Sequence, residues 1–287
     1  MPDEQVDPTD WQHVCRPRRY TNLGALGRVC RVGLATRGNT SLAPDDVLRA
    51  IDAGIGYLNW CGHTDGMSQA VRGLGPRRRD VIVATQLSAR TAKGARPELR
   101  ELLGELGTDY LDVVTYYYVE TRDEWRRILA PGGAAEALEE AKACGVVRAI
   151  GVTSHQRPLA AQIVRSRRVD LAMIRYNAAH RGAERDVFPI CRRHNVPVVA
   201  FTGMRWGALL DPTPDDPPDF QPPPAPDWYR FVLCHPDVTV ALVAPDGREE
   251  LEEDLQLLPD WRGLEPDEYR RLRTHGDRVR RHAGSFP

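Results

Sequence analysis

The feature that most constrains the fold is a regular alternation of short apolar runs with amphipathic helical stretches, kept up from residue 32 to residue 258. The apolar runs lie at 32–36, 57–59, 81–86, 111–117, 147–153, 171–176, 198–201 and 238–243. Helical periodicity follows most of them, at 44–53, 68–73, 97–106, 134–143, 159–165, 183–194 and 249–258. In one helix Leu99, Leu102, Leu103 and Leu106 recur at i, i+3, i+4 and i+7, which builds a single apolar face ended by Gly107. Another opens on Pro44 and stops at Gly54, the expected asymmetry of helix ends. Eight apolar strands, most followed by a helix, predict a parallel sheet closed into a (β/α)8 TIM barrel, preceded by an N-terminal β-hairpin at 23–31. The 287 residues suit one such α/β domain, typically about 250 residues long.

Two segments fall outside the pattern. Residues 1–19 are polar and read as a flexible leader, leaving 20–287 as a single barrel domain. Residues 211–228 hold eight prolines and read as an extended loop on the rim, where a substrate-gating loop would lie. A formal charge of −1 gives no field for nucleic acid or an anionic membrane. No run of apolar residues is long enough to cross a bilayer, and the first residues lack the apolar core of a secretion signal. The six cysteines are scattered with no CxxC pair, which predicts reduced thiols and a cytoplasmic location. The expected partner is a small-molecule ligand or substrate. In a barrel of this type the reacting groups sit at the C-terminal ends of the strands, so the strand tips decide the chemistry.

Several segments resemble the aldo-keto reductase superfamily in register and in order. These are Leu23-Gly24 through Val32-Gly33-Leu34, Ala50 through Tyr57, Leu106-Gly107-Thr108-Asp109-Tyr110-Leu111-Asp112, Gly145 through Val152, Tyr176-Asn177 with Arg181 and Glu184, and Glu252-Glu253-Asp254-Leu255. The resemblance implies a carbonyl reductase using NADPH, with an aspartate, a tyrosine, a lysine and a histidine around the carbonyl oxygen. All four positions differ in this chain. The aspartate position is Asn59, the tyrosine position Thr64, the lysine position Gln86 and the histidine position Tyr117. The chain holds only two lysines, Lys93 and Lys142, against 37 arginines, and neither lies at a strand tip. An alkanol such as Thr64 is too weak an acid to replace a phenol, and neither amide carries charge to tune one.

The resemblance also implies the cofactor contacts. The serine–asparagine pair after strand five corresponds to Thr153-Ser154, and the carboxamide-binding glutamine of strand six to Met173. The ring stacked on nicotinamide corresponds to Tyr176, and the adenine-contacting asparagine to Asp254. A phosphate-contacting arginine is replaced by Glu250, with Arg248 able to compensate. NADPH or NADH therefore stays open.

Other polar groups occupy the tips. His63, beside the tyrosine position, reads as a substitute acid or base or as a surface histidine. Cys61, His63 and Asp65 form a C-x-H-x-D run, which His155 and His180 would have to complete for a metal site; none is assigned. In 116–118, alternation sends Tyr117 inward, and Tyr116 and Tyr118 toward the helices. Arg175 reads as an ion-pair partner of Glu184 or as an anion ligand, and Arg205-Trp206 as a cap on the pocket. Three readings follow: a non-redox acid/base enzyme using His63 and Tyr117 with Asn59 and Gln86 as hydrogen-bond donors, an NAD(P)H-dependent oxidoreductase with a substitute acid, and a catalytically silent binding or regulatory protein. A pocket packed shut by Tyr117, Met173 and Trp206 would favour the last.

Overall fold

In the computed structural model the described residues are 15, 17–37 and 40–282. A two-stranded antiparallel hairpin, β1 (Tyr20–Asn22) and β2 (Arg28–Cys30), precedes eight parallel strands. These are β3 (Val32–Ala35), β4 (Tyr57–Asn59), β5 (Ile82–Leu87), β6 (Leu111–Tyr116), β7 (Val147–Ser154), β8 (Leu171–Arg175), β9 (Val198–Phe201) and β10 (Val238–Val243). They pair in chain order, and β10 closes onto β3. The barrel and the hairpin are as the sequence predicts.

Side-chain parity divides the core in two. Tyr57, Ile82, Ala84, Val113, Leu171, Met173, Val199, Val240 and Leu242 pack together inside the barrel, with Leu23 and Val29 of the hairpin. The hairpin thus plugs the N-terminal end. Gly33 has a specific task here: a Cβ would stand 2.9 Å from Leu242 and Val240 and 3.0 Å from Tyr57, so only glycine leaves space for that ring. The opposite strand faces pack against the helices in the larger apolar layer.

The helices are α1 (Pro44–Asp52), α2 (Gly66–Gly73), α3 (Ala92–Leu106), α4 (Arg122–Leu129), α5 (Ala134–Ala143), α6 (Arg157–Arg165), α7 (Ala183–Asp186), α8 (Phe188–His194), α9 (Ala225–Cys234), α10 (Arg248–Leu255) and α11 (Pro266–His282). Three of them were not read from the sequence. In α4, Thr121 and Glu124 form a capping box and Trp125 and Ile128 are buried. In α9, nine of ten residues are buried, including Trp228, which the sequence reading left in the proline-rich loop. In α11, Tyr269, Leu272 and Val279 face inward. Residues 183–194 form two helices rather than one, because Pro189 belongs in a first turn and a new helix starts at Phe188.

The proline-rich loop is anchored. Asp216, 1% exposed at its side chain, binds Nδ1 of His275 and a guanidinium nitrogen of Arg278, and Asp215 binds Arg281. The Trp228 indole donates to the carbonyl of Pro223.

The expectation of six reduced thiols fails at one pair. Cys15 and Cys234 are disulfide-bonded, their Cα atoms 5.0 Å apart. The 1–14 part of the expected leader, with residue 16, lies outside the described residues. Its remainder is held by that bond, by the Trp261 indole donating to Pro17 O and by Arg19 donating to Ala53 O. Among the described residues no helix is long and apolar enough to cross a membrane.

Candidate active site

Because β4 to β10 run parallel, their C-terminal tips converge on one mouth. A cavity of about 860 Å³ opens there. It is lined by every position expected to carry the chemistry, namely Asn59, His63, Thr64, Gln86 and Tyr117. The inward parity that places Tyr57 in the barrel places Asn59 at its mouth, and Ala84 does the same for Gln86.

The loop after β4 is built by local bonds. The Trp60 indole, fully buried, donates to the carbonyl of His63 at 2.8 Å, which turns the chain back toward the barrel. Asp65 caps α2, accepting from the Ser68 amide at 2.8 Å, while Ser68 Oγ accepts from the Asp65 amide. Gly66 lies so close to Leu42 that a Cβ would stand 2.0 Å from its carbonyl oxygen, which locks the loop against the start of α1. His63 and Thr64 are left exposed at the cavity wall. Cys61 approaches Thr36 at 3.6 Å and Asp65 at 3.7 Å, and burial pushes its thiol pKa up. Among the described residues no group of three potential ligands gathers for a metal.

Asn59 is 6% exposed, and its Oδ1 is buried with no hydrogen-bond partner among the described residues. A buried acceptor left unpaired costs about 1–3 kcal/mol.

An aromatic wall stands opposite. Tyr117, 37% exposed, packs on Tyr118 with ring centroids 4.1 Å apart; Tyr118 packs on His155 at 4.4 Å; and His155 meets Phe201 edge-on at 5.8 Å. Tyr116 turns to the helix layer against Trp125, as alternation predicts. Tyr118 does not: a positive φ of 41° swings it to the cavity instead. Burial, then its neighbour Tyr117, raises its phenol pKa to about 12. Thr202, Arg205 and Trp206 also adopt positive φ (59°, 53° and 55°), so four of the six such non-glycine residues cluster at this rim. Each costs about 1–3 kcal/mol, and strain of this kind gathers at functional sites. Trp206 is 63% exposed and lines the cavity as the expected cap.

Of the expected cofactor contacts, Thr153 and Met173 line the cavity. The Thr153 hydroxyl is bonded to that of Thr115, and Ser154 Oγ accepts from the Gln156 amide. Tyr176 is not in the cavity. It has the outward parity of β8, is 1% exposed, packs edge-on against Phe188, and donates its hydroxyl to Glu184 at 2.7 Å. Phe201 lines the cavity instead, and it shares the inward parity of Val199 on β9. Arg175 does not pair with Glu184. Burial, then Arg157 and Arg205, lowers its pKa to about 10, with Glu120 opposing. His180 accepts from Arg205 Nε at 3.2 Å; burial, then Arg175 and Arg205, lowers its pKa to about 4. Arg248 binds Asp46 at 2.6 Å, Glu250 accepts from the Asp246 amide, and Asp254 is buried, its pKa raised by that burial.

The family model described as the aldo/keto reductase family matches residues 33–228. The chain belongs to the aldo/keto reductase family. A D-threo-aldose 1-dehydrogenase of a Pseudomonas species is 31% identical over 146 residues, which are 50% of this chain and 44% of that protein. An uncharacterized oxidoreductase of Bacillus subtilis is 25% identical over 205 residues, 66% of this chain and 64% of that one. The match thus spans less than two thirds of either relative. Among solved structures, an aldo/keto reductase of Klebsiella pneumoniae in complex with NADP and acetate shares the fold with a TM-score of 0.74 at 19% identity, over 91% of this chain and 96% of that chain. The holo form of a Bacillus halodurans aldo-keto reductase gives 0.71 at 20% identity, with the same coverage.

Proposed function

We propose that this aldo/keto reductase barrel moves protons on a small carbonyl compound without hydride transfer. The observation that carries the reading is the open cavity of about 860 Å³, where Asn59, Gln86, Tyr117, Thr64 and His63 meet and where Asn59 Oδ1 has no partner among the described residues. A decayed site would be filled, yet Tyr117, Met173 and Trp206 line space.

In this reading the His63 imidazole removes a proton from the carbon beside the carbonyl. The electron pair moves onto the carbonyl oxygen, which accepts hydrogen bonds from the Asn59 and Gln86 amide N–H groups. Tyr117 lends its hydroxyl proton to that oxygen. If the carbon proton returns to the same carbon, Tyr117 takes its proton back from that oxygen and the product is an epimer; if it goes to the former carbonyl carbon, Tyr117 takes the proton of the α-hydroxyl instead, which becomes the new carbonyl, and the product is an isomer. No electrons leave the substrate, so no co-reactant is needed. Thr64 positions the substrate by hydrogen bonding.

The dinucleotide that the resemblance implies fits these residues poorly. Met173 offers no hydrogen bond to a carboxamide, and the hydroxyls of Thr153 and Ser154 already have partners. Tyr176 faces away, Arg248 is held by Asp46, and Glu250 puts a carboxylate where a 2′-phosphate would lie. No hydride step is derived. Hydride transfer with NADPH or NADH is the second reading, favoured by the relatives whose names are those of a dehydrogenase and an oxidoreductase.

The test incubates the protein with aldoses and ketoses in D2O, without nucleotide, and follows C–H exchange by NMR. Exchange that His63→Ala abolishes is the expected result. No exchange, together with NADPH or NADH binding at micromolar concentration by tryptophan quenching, would replace this reading with the second. No exchange and no nucleotide binding would leave a silent binding protein.

A further inference from the structure

We propose that the ligand of this cavity carries a positively charged amino group, held between an acidic face of α3 and the aromatic rim. The proposal rests on the reading of the cavity as the substrate site and names the substrate's class.

Glu98, Glu101 and Glu105 fall at i, i+3 and i+7, so they share one face of α3, and all three line the cavity. Their roles in the fold differ. Glu98 is fixed by the amides of Ser88 and Ala89, at 2.6 and 2.8 Å. Glu105 accepts from Ser68 Oγ at 3.3 Å. Glu101 is exposed on the same face. Against these three carboxylates the described residues of the lining include one arginine, Arg37, which is already bound to Asp246. The cavity therefore carries an excess of negative charge that the overall charge of −1 does not reveal.

The second observation is independent of charge. Asn59, 6% exposed, lines the same cavity, and its Oδ1 is an acceptor without a donor among the described residues. One buried atom of the lining without a partner, Arg37 Nε, is a donor, on the arginine that Asp246 holds; Asn59 Oδ1 and the three carboxylates are acceptors. An ammonium group offers three donors and no acceptor, and matches them. Trp206 and Tyr117, 63% and 37% exposed, also line the cavity, and a cation is drawn to an aromatic ring within about 6 Å of its centroid. A hydroxyl can also donate to Asn59 but gains nothing from the carboxylates' charge. A carboxylate or phosphate is repelled by them. The order of preference follows: cation, then neutral, then anion.

The test uses three probes with one ring and three charges: D-glucosamine, D-glucose and D-glucuronate. Each is titrated into the full chain at about pH 6.5, where the amine is largely protonated. Binding is read by tryptophan fluorescence, since Trp60 and Trp206 line the cavity. Glucosamine is expected to bind about 10-fold more tightly than glucose, with glucuronate weakest, and the gap to narrow as salt rises from about 0.05 to about 0.5 M. Glu101→Gln, isosteric and on an exposed position, is expected to weaken glucosamine about 5-fold and leave glucose unchanged. Equal binding of glucose and glucosamine, tighter binding of glucuronate, or no glucosamine binding by about 50 mM, would overturn the proposal. Glucosamine preference without C–H exchange in D2O would sink only the proton-transfer reading. Exchange with no preference for the amine would sink only this one.

Discussion

The two ends of the barrel differ in how far their buried polar groups are engaged, although each leaves an atom unpaired among the described residues, Arg78 Nε at the plugged end and Asn59 Oδ1 at the open one. Near the plugged end, Asp112 on β6 is fully buried, and it is also fully engaged. It bonds Arg78 at 2.8 Å, Arg148 at 2.7 Å and the Val83 amide at 2.9 Å. Arg31, 7% exposed, likewise spends its guanidinium on the carbonyls of Leu233 and Val238. At the open end a buried amide oxygen is left without a partner, four residues hold strained backbone, and a tryptophan is exposed. The same strands supply both ends. What differs is that one end is closed by its own chain and the other opens into the cavity, the end where such barrels carry their sites.

The largest effects should come from breaking the plugged end. Asp112→Ala strands the nearly buried Arg78, and removing one partner of a buried ion pair costs about 3–5 kcal/mol. Urea denaturation should show a loss of that size, with binding at the mouth retained in the folded fraction. A loss below about 1 kcal/mol would mean that this end is not where stability resides. Next is the covalent tie. Cys15→Ser opens a link between residues 219 apart and should cost about 2–5 kcal/mol, matched by reduction of the parent protein. An unchanged midpoint in reductant would show that the bond does not form in solution.

Acid should act on both ends at once. Burial holds His180, at the mouth, down to about 4 and His235, at the other end, down to about 2. Both stay neutral in the fold where the unfolded chain takes up protons. Their contribution is therefore fully present above about pH 6.5 and is lost as pH falls, at about 1 kcal/mol per unit for each histidine. His180 stops contributing to the loss near pH 4, and His235 carries it further. His235→Gln should lower proton uptake on unfolding by about one between pH 6 and pH 4. An unchanged uptake would mean that the site is wet enough for the ring to titrate normally.

Much of this contrast was legible in the sequence, and the failures have physical causes. Strand alternation gave the barrel, and the resemblance led to Asn59, Thr64, Gln86 and Tyr117, which do meet in one cavity. Tyr176 was assigned by analogy although its own parity opposed that: Leu171 and Met173 face inward, so Tyr176 faces out. The same rule applied to Val199 finds Phe201. Tyr118 was beyond the rule, because a positive φ just past the strand breaks alternation and nothing in the residue type announces it. The acidic row on α3 was legible by its spacing, but its meaning was not, since only the fold turns that face toward the mouth. The pairing of Cys15 with Cys234 depends on contacts between distant segments and left no local signal.

The smallest predicted effect tests the comparison most directly. If Asn59 is unsatisfied in the free protein, replacing it with leucine removes a buried polar group while keeping the number of heavy atoms and the branching of the side chain. Asn59→Leu should then raise stability by about 1 kcal/mol while abolishing glucosamine binding and C–H exchange. The opposite signs matter more than the sizes. A group that stabilises the fold loses stability when removed, whereas a group kept for a ligand gains it. Denaturation with and without about 20 mM glucosamine separates the two cases, because ligand should stabilise the parent protein and leave the variant unmoved. If the variant is instead less stable without ligand, the amide is already satisfied, and the open end is held together on the same terms as the plugged one.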